Sequence, residues 1–363
     1  MSERAGNRRR WGRLFIGIGL SAVAFWLALR NTSLSAIGDA LGQADWRWLP
    51  VMLALKASVL VIKDLRWRCE LGAMQPGPYQ HTFRAIGLGY FGNIVLPFKM
   101  GELLRVGLLK RHNPRVGLAD VLATIAAERA LDGAILALMV GAMLFSTDVP
   151  TWVESGTLLL LVAMLGLIAV AMLAPVHRFF IRKLPERGPL GLGRKVIQAL
   201  SRGTAVLRKP GPLALATTYT AIAWLGEAAV FYCAIEALGI PLGFGDVLVV
   251  TLLLSVGLLI PSAPGQIGTH QALSVLFLEP FGVVDELAVS VSFTLQAVAL
   301  VTLCSIGGYV LIREAGIRDL VRVSDDSPPS VGDIVQAPSA DRDESAVDDA
   351  PSQPSVDAAQ ESP

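Results

Sequence analysis

The chain has 363 residues, of which 53% are hydrophobic and 17% are charged. Soluble globular domains carry about a quarter charged residues, so this composition excludes an ordinary soluble protein. The three cysteines and four histidines show no disulfide or metal-ligand spacing, and no phosphate-binding G-x-x-x-x-G-K-[ST] loop is present. We therefore expect no cofactor, no metal and no nucleic-acid partner.

Three segments of different character divide the chain. Residues 1–10 form a basic N-terminal segment, which the bias of Lys and Arg places in the cytoplasm. Residues 11–322 hold the apolar blocks and form the predicted membrane domain. Residues 323–363 contain ten acidic residues, one basic residue and no aromatic residue, so we expect a disordered acidic tail.

Six apolar blocks approach the length of about 20 residues that a membrane-spanning helix needs. They lie at about 14–29, 48–63, 119–145, 156–174, 213–238 and 287–312. Two further blocks, at about 82–98 and 245–280, are interrupted by Gly, Pro and polar residues. The pattern predicts an all-α, polytopic bundle of membrane helices.

The distribution of basic residues predicts the topology of this bundle. Basic residues flank block 82–98 on both sides, whereas block 245–280 has almost none on either side. This predicts six full spans plus two re-entrant helical hairpins of opposite orientation, with both termini in the cytoplasm. The alternative is eight ordinary spans with kinks. Broken helices that enter from opposite faces are typical of transporters with a site at mid-membrane.

The stretch "GNIVLPFKMGELLR" places polar residues at the first interrupted block. Pro97 predicts a helix break near Leu96, where freed backbone groups and the Asn93 amide can face a polar ligand. Glu102 and Arg105 are three residues apart on one helix face, and their alternative role is a surface ion pair. Lys99 has an alternative role as well, because its side chain can reach the lipid headgroups.

A second group of charges lies inside apolar helices. The stretch "TIAAERALDGAILALMV" contains Glu128, Arg129 and Asp132, and "AIAWLGEAAVFY" contains Glu227. Charges at this depth cost about 2.5–3.5 kcal/mol or more each, so they face the bundle interior and find partners. We expect Glu227 to pair with a cation such as Arg105 or Arg129. The alternative for this group is a structural ion pair that locks two helices.

The third element is "PSAPGQIGTHQA" in the second interrupted block. Pro264 breaks a helix, and Gly265 and Gly268 can adopt positive φ. A new helix is expected to begin near Gly268 and Thr269, and its free N–H groups would make an anion site. The alternative is a tight external loop.

These elements occur in the order GxxxNxxxPxKxGExxR, an ER pair within a membrane helix, and PxxPGxxG. The ordered combination resembles the transmembrane region of lysylphosphatidylglycerol synthase, a flippase-like family, over about residues 11–315. The resemblance implies a lipid flippase domain, which in bifunctional members moves aminoacylated phosphatidylglycerol between leaflets. The matching positions are Asn93, Pro97, Gly101, Glu102, Arg105, Glu128, Arg129, Pro264, Gly265 and Gly268.

Two departures from the family pattern concern the last motif, which is commonly PGGIGxxE. Here Gln266 replaces a glycine, and Gln271 stands where the glutamate would be. These changes argue against a cationic aminoacyl headgroup as the substrate. The family's soluble synthase domain is also not found after Arg322, so we do not expect the chain to make lysylphosphatidylglycerol.

The expected function is therefore a multi-pass inner-membrane (plasma-membrane) transporter for an anionic lipid, of the phospholipid or polyprenyl phosphate type. Lys99, Arg105 and Arg129 would attract the phosphate, and the helix start at Gly268 would bind it from the other side. Glu102, Glu128 and Asp132 would hold the cations in place and are also candidates to carry coupling protons. The alternative is a membrane enzyme, or an accessory protein that works with a separate lipid-modifying enzyme in polyprenyl-linked glycan or lipid modification.

Overall fold

The computed structural model describes residues 22–30, 32–72, 77–96, 100–113, 118–143, 209–258 and 263–314, and all secondary structure within these ranges is helical. The basic N-terminus, the predicted helix at 156–174, the tail at 323–363, Pro97 and Lys99 lie outside the described residues. The predicted boundaries of the membrane domain therefore stay predictions.

Ten α-helices follow one another along the described chain. They are α1 (residues 22–29), α2 (Leu34–Gln43), α3 (Trp48–Leu71), α4 (Tyr79–Val95), α5 (Gly101–His112), α6 (Leu118–Met143), α7 (Pro210–Ala237), α8 (Phe244–Gly257), α9 (Thr269–Leu278) and α10 (Asp285–Arg313). Short 3₁₀ turns at Pro264–Gln266 and Glu279–Phe281 flank α9.

Within the described ranges, two helices are long and apolar enough by composition to cross a membrane, and these are α7 and α10. Helices α3 and α6 have 24 and 26 residues, which is also a spanning length, but both carry several charges. The described parts of blocks 48–63, 119–145, 213–238 and 287–312 fall on helices, apart from Leu238, which follows the end of α7. The total number of spans stays a prediction.

Helices α4 and α5 form a tight antiparallel hairpin. Helix α4 ends at Val95, and Leu96 turns into extended backbone with ψ 144°, which confirms the helix break expected there. Glycine allows the close approach, since a Cβ on Gly101 would overlap the Gly89 carbonyl and the Asn93 backbone. Whether both ends of this hairpin lie on one side of the membrane stays a prediction.

The second broken segment runs from α8 through a turn into α9. Gly265 has φ +69° and Gly268 has φ +89°, so both adopt the positive φ expected from the sequence. Helix α9 begins at Thr269 with Gly268 as its N-cap, which is also as expected. Gln266, with φ +59°, is the one non-glycine residue with positive φ in the described ranges.

The two broken segments meet where their helices break. We call these two places the tips: the end of α4, and the turn Pro264–Gln266 before α9. The turn Pro264–Gln266 packs against α4, and a Cβ on Gly265 would lie 4.0 Å from the Ile94 carbonyl oxygen. The long helices α3 and α7 pack side by side next to this contact and form the most extensive helix pair of the described bundle. A close approach at Gly226 and Val59 joins these two helices. The tips therefore lie beside the helices that carry most of the buried charges.

Candidate functional site

A cavity of about 660 Å³ lies between the two tips and helices α3, α6, α7 and α10. This volume is in the range of small-molecule sites. Most of the wall is apolar. The polar and charged residues on it are Lys56, Tyr90, Asn93, Glu102, Arg129, Trp224, Glu227, Thr251, Ser255, Gln266, His270 and Gln296.

The cavity brings together several residues that the sequence analysis singled out in separate motifs. Those on its wall are Asn93, Glu102, Arg129, Glu227 and Gly265. Gly268 is buried at the start of α9, and Pro264 lies in the adjoining turn. Arg105, Glu128 and Asp132 are not on the wall but form a network with Arg129. The predicted residues thus form two adjacent groups. Some line the cavity, and the others form ion pairs next to its wall.

Glu227 on α7 pairs with two lysines of α3. Its Oε2 lies 2.7 Å from Lys56 Nζ, and its Oε1 lies 2.7 Å from Lys63 Nζ. The expected pairing of Glu227 with Arg105 or Arg129 is therefore wrong. The reason is that α7 packs along α3, and residues seven apart lie on one face of a helix after two turns.

The two lysines differ in what else they face. Lys63 lies over the ring of Tyr90, with 5.1 Å from its Nζ to the ring centroid, and it is not on the cavity wall. Lys56 lines the cavity. Two ammonium groups share one carboxylate, so this triad carries a net charge of +1, and Lys56 presents that charge to the cavity.

Arg66 on α3 is the centre of a second charged group, and the sequence analysis missed it. Its guanidinium pairs with Glu128, at 2.9 Å, and with Asp132 of α6. The basic residues of "KDLRWR" predict a cytoplasmic flank before block 82–98, but α3 continues through them to Leu71, and Arg66 is only 1% exposed. Its position three residues after Lys63 is the signal that places it on the same face.

Arg105 on α5 is buried in this second group rather than facing the cavity. Its Nη1 lies 2.9 Å from Glu128 Oε2, and its guanidinium stacks on the ring of Trp67 at 3.6 Å. The surface ion pair of Arg105 with Glu102, which the sequence left open, is not formed. Glu102 lies 3.4 Å from Arg129 instead. Arg105 is thus placed to hold Glu128.

Arg129 is the guanidinium on the cavity wall. Its side chain is 44% exposed and lies within 3.5 Å of Glu102, Glu128 and Asp132. Asp132 also accepts a hydrogen bond from Trp224 Nε1 at 3.3 Å. Three carboxylates therefore hold Arg129 at the edge of the cavity without burying it.

A chain of amide hydrogen bonds closes the turn before α9. The Gly268 N–H donates to Gln271 Oε1 at 2.7 Å, Gln271 Nε2 donates to Gln296 Oε1, and Gln296 Nε2 donates to the Gly265 carbonyl. The Gly268 N–H was expected to be free for an anion, but Gln271 uses it. The unusual glutamine at position 271 thus caps α9 and ties the turn to α10.

A helical bundle with two broken helices, whose tips meet at a cavity among buried ion pairs, defines a membrane-embedded domain. The family model described as the lysylphosphatidylglycerol synthase TM region matches residues 14–307, and the chain belongs to this family. A search of curated proteins finds no match. The family assignment confirms the resemblance found in the sequence and makes the chain an integral membrane protein of a lipid-related family.

Proposed function

We propose that the protein moves an anionic lipid, of the phospholipid or polyprenyl phosphate type, between the leaflets of the inner (plasma) membrane. The observation that carries the proposal is the cavity between the two tips, with Lys56 and Arg129 on its wall. In this proposal the two broken segments are re-entrant hairpins of opposite orientation, and both chain termini are cytoplasmic. The cavity then lies at mid-membrane.

The shape of the cavity suits a headgroup rather than a whole lipid. Its volume of about 660 Å³ is enough for a phosphate-bearing headgroup and its first waters, while the acyl or prenyl chains stay outside. Leu300 and Ile267 line the cavity and are 48% and 55% exposed, so the cavity opens on the outer face of the bundle. An opening with an apolar rim allows a lipid to enter sideways with its chains in the bilayer.

The charges on the wall suit a phosphate. Lys56 brings the unneutralised charge of its triad, and Arg129 brings a planar guanidinium that can bind two phosphate oxygens. The Asn93 side chain lines the same space, and its Oδ1 has no hydrogen-bond partner among the described residues. Arg105 acts indirectly here, by holding Glu128 and through it Arg129. Lys99 and Pro97, which lie outside the described residues, belong to this proposed anion path on the ground of the sequence alone.

Transport of an unchanged lipid is distinguishable from chemistry on it. Liposomes that contain the purified protein and a fluorescent anionic lipid are treated with a membrane-impermeant quencher, and the accessible fraction is followed over time. Protein-free liposomes and a zwitterionic lipid of the same chain length are the controls, and mass spectrometry checks the lipid. We expect faster exposure of the anionic lipid without chemical change. Equal exposure in protein-free liposomes, or a modified lipid, would overturn the proposal.

A further inference from the structure

A carboxyl group on α3 lies in the buried ionic network without a cation of its own. Glu70 is 4% exposed, and neither of its side-chain oxygens has a hydrogen-bond partner among the described residues. Its nearest cation is Arg66, whose Nε lies 3.9 Å from Glu70 Oε1. This distance is too long for a hydrogen bond. A bare carboxylate in such a place would be costly.

Each of the described arginines of the network already pairs with a carboxylate other than Glu70, although Arg66 Nε and the Nε and Nη2 of Arg105 donate no hydrogen bond. Three arginines, Arg66, Arg105 and Arg129, face three carboxylates in close pairs. The carboxylates in these pairs are Glu102, Glu128 and Asp132. Each of the three arginines therefore has at least one carboxylate within 3.5 Å, and Glu70 is the fourth acid against three cations.

Charged groups of both signs lie near Glu70 on its own and neighbouring helices. Glu128 and Asp132 of α6 oppose a negative charge at Glu70, while Arg66 of α3 and Arg105 of α5 favour it. Both arginines already hold these α6 carboxylates at short distance. Asp64, the other buried acid of α3, accepts a hydrogen bond from Thr82, which also bonds Arg68. Asp64 thus has a hydrogen-bond donor, whereas Glu70 has none among the described residues.

We propose that Glu70 is a proton-binding site, held as a neutral carboxylic acid that releases its proton to water and regains it from water as the charge of the network changes. The group lies at one end of a continuous chain of ionisable side chains, which runs from Glu70 through Arg66 and Glu128 to Arg129 on the cavity wall. A change in charge at the cavity is therefore felt at Glu70.

The direction of the coupling follows from the charges and rests on the proposed function. A phosphate bound at Arg129 adds negative charge next to Glu128 and Asp132 and draws the guanidinium away from them. The network then becomes more negative, which favours the protonated form of Glu70. Departure of the phosphate reverses this change and favours release of the proton. Lipid movement and proton movement are thereby linked.

Infrared absorption of the purified full-length protein, without any lipid substrate, tests the site directly. At neutral pH we expect a C=O stretch of protonated carboxyl groups, part of which disappears in Glu70→Gln and stays in Glu279→Gln, an exposed acid in a turn. No protonated-carboxyl band in the wild-type protein, or an unchanged band in Glu70→Gln, would overturn the proposal. A Glu70→Gln protein that fails to fold would also contradict it, because glutamine keeps the shape and neutrality of the protonated acid.

This measurement does not depend on transport. A protein that moves no lipid can still show the Glu70 band, in which case the proposed function fails and the proton site stands. If the protein moves lipid but shows no such band, the proton site fails and the proposed function stands. Where both hold, Glu70→Gln is expected to make lipid movement in liposomes independent of an imposed pH gradient, while Glu279→Gln keeps the wild-type dependence.

Discussion

Arg105 Nη1 lies 2.9 Å from Glu128 Oε2, in the interior of the bundle between α5 and α6. Arg129, the next residue after Glu128, is instead 44% exposed on the cavity wall. Two arginines that the sequence placed in one role thus differ in burial. One lies within the buried network, and the other faces the cavity.

This difference in burial predicts that two alanine substitutions affect different properties, one mainly stability and the other mainly lipid movement. Arg105→Ala removes one partner of a buried pair, which typically costs about 3–5 kcal/mol, so we expect a lower free energy of unfolding in detergent and a low yield. Arg129→Ala removes a half-exposed partner and is expected to cost about 1 kcal/mol or less, while lipid movement falls. Equal losses of stability in the two variants would contradict the assignment of roles.

The Lys56–Glu227–Lys63 triad predicts a rescue between helices. Glu227→Gln leaves two ammonium groups beside a neutral amide, so we expect it to lower the free energy of unfolding by several kcal/mol. Adding Lys63→Met removes one of the stranded charges. The double variant Lys63→Met with Glu227→Gln is therefore expected to be more stable than Glu227→Gln alone. Thermal unfolding of the three proteins checks this, and strictly additive losses would refute the direct pairing.

The backbone of the turn before α9 predicts that substitutions at positions 266 and 268 change thermal stability in opposite directions. Gln266 adopts φ +59°, a conformation that costs a non-glycine residue about 1–2 kcal/mol, so Gln266→Gly should raise or preserve thermal stability. Gly268 has φ +89°, and Gly268→Ala should lower stability by a similar amount. A destabilising Gln266→Gly would indicate that the Gln266 side chain makes contacts that outweigh the backbone cost.

The first hairpin predicts the accessibility of its two ends. His81 at the start of α4 contacts His112 at the end of α5, with ring centroids 4.1 Å apart, so the two ends are adjacent. In a background with the three native cysteines replaced, Tyr79→Cys and Arg111→Cys should react with an impermeant maleimide from the same side of sealed vesicles. Labelling from opposite sides would exclude the re-entrant arrangement. Labelling of both from the non-cytoplasmic side alone would reverse the predicted orientation.

Local features of the sequence predicted the local features of the fold. The break at the end of α4, the positive φ of Gly265 and Gly268 and the start of α9 follow from the chemistry of single residues, namely proline and glycine. The apolar blocks likewise predicted where the described long helices lie, because long apolar segments of a membrane protein form helices.

The partners of the charges were not predictable in the same way. Lys56 and Glu227 lie 171 positions apart, and only the packing of α3 along α7 brings them together. The sequence also ended the second helix too early, because a run of basic residues resembles a cytoplasmic flank whether or not its arginine is buried. Arg66 and Glu70 were therefore missed, although Lys56, Lys63, Arg66 and Glu70 follow one face of a helix.

The central claim is that an anionic headgroup crosses the membrane through the cavity on which Lys56 lies. Lys56→Gln and Lys63→Gln form a matched pair, because each removes one of the two ammonium groups that hold Glu227 and leaves the other. Only Lys56 lines the cavity. The most direct measurement is the rate of anionic-lipid exposure in liposomes that contain each variant at equal protein density.

Loss of a charge-assisted contact is worth about 1.5–3 kcal/mol, so we predict that Lys56→Gln slows anionic-lipid exposure by roughly tenfold or more. Lys63→Gln also removes the net charge of the triad but keeps the Lys56 ammonium group on the cavity wall, so we predict a smaller loss of rate than for Lys56→Gln. Equal rates for Lys56→Gln and the wild-type protein would contradict the claim that the headgroup passes through this cavity.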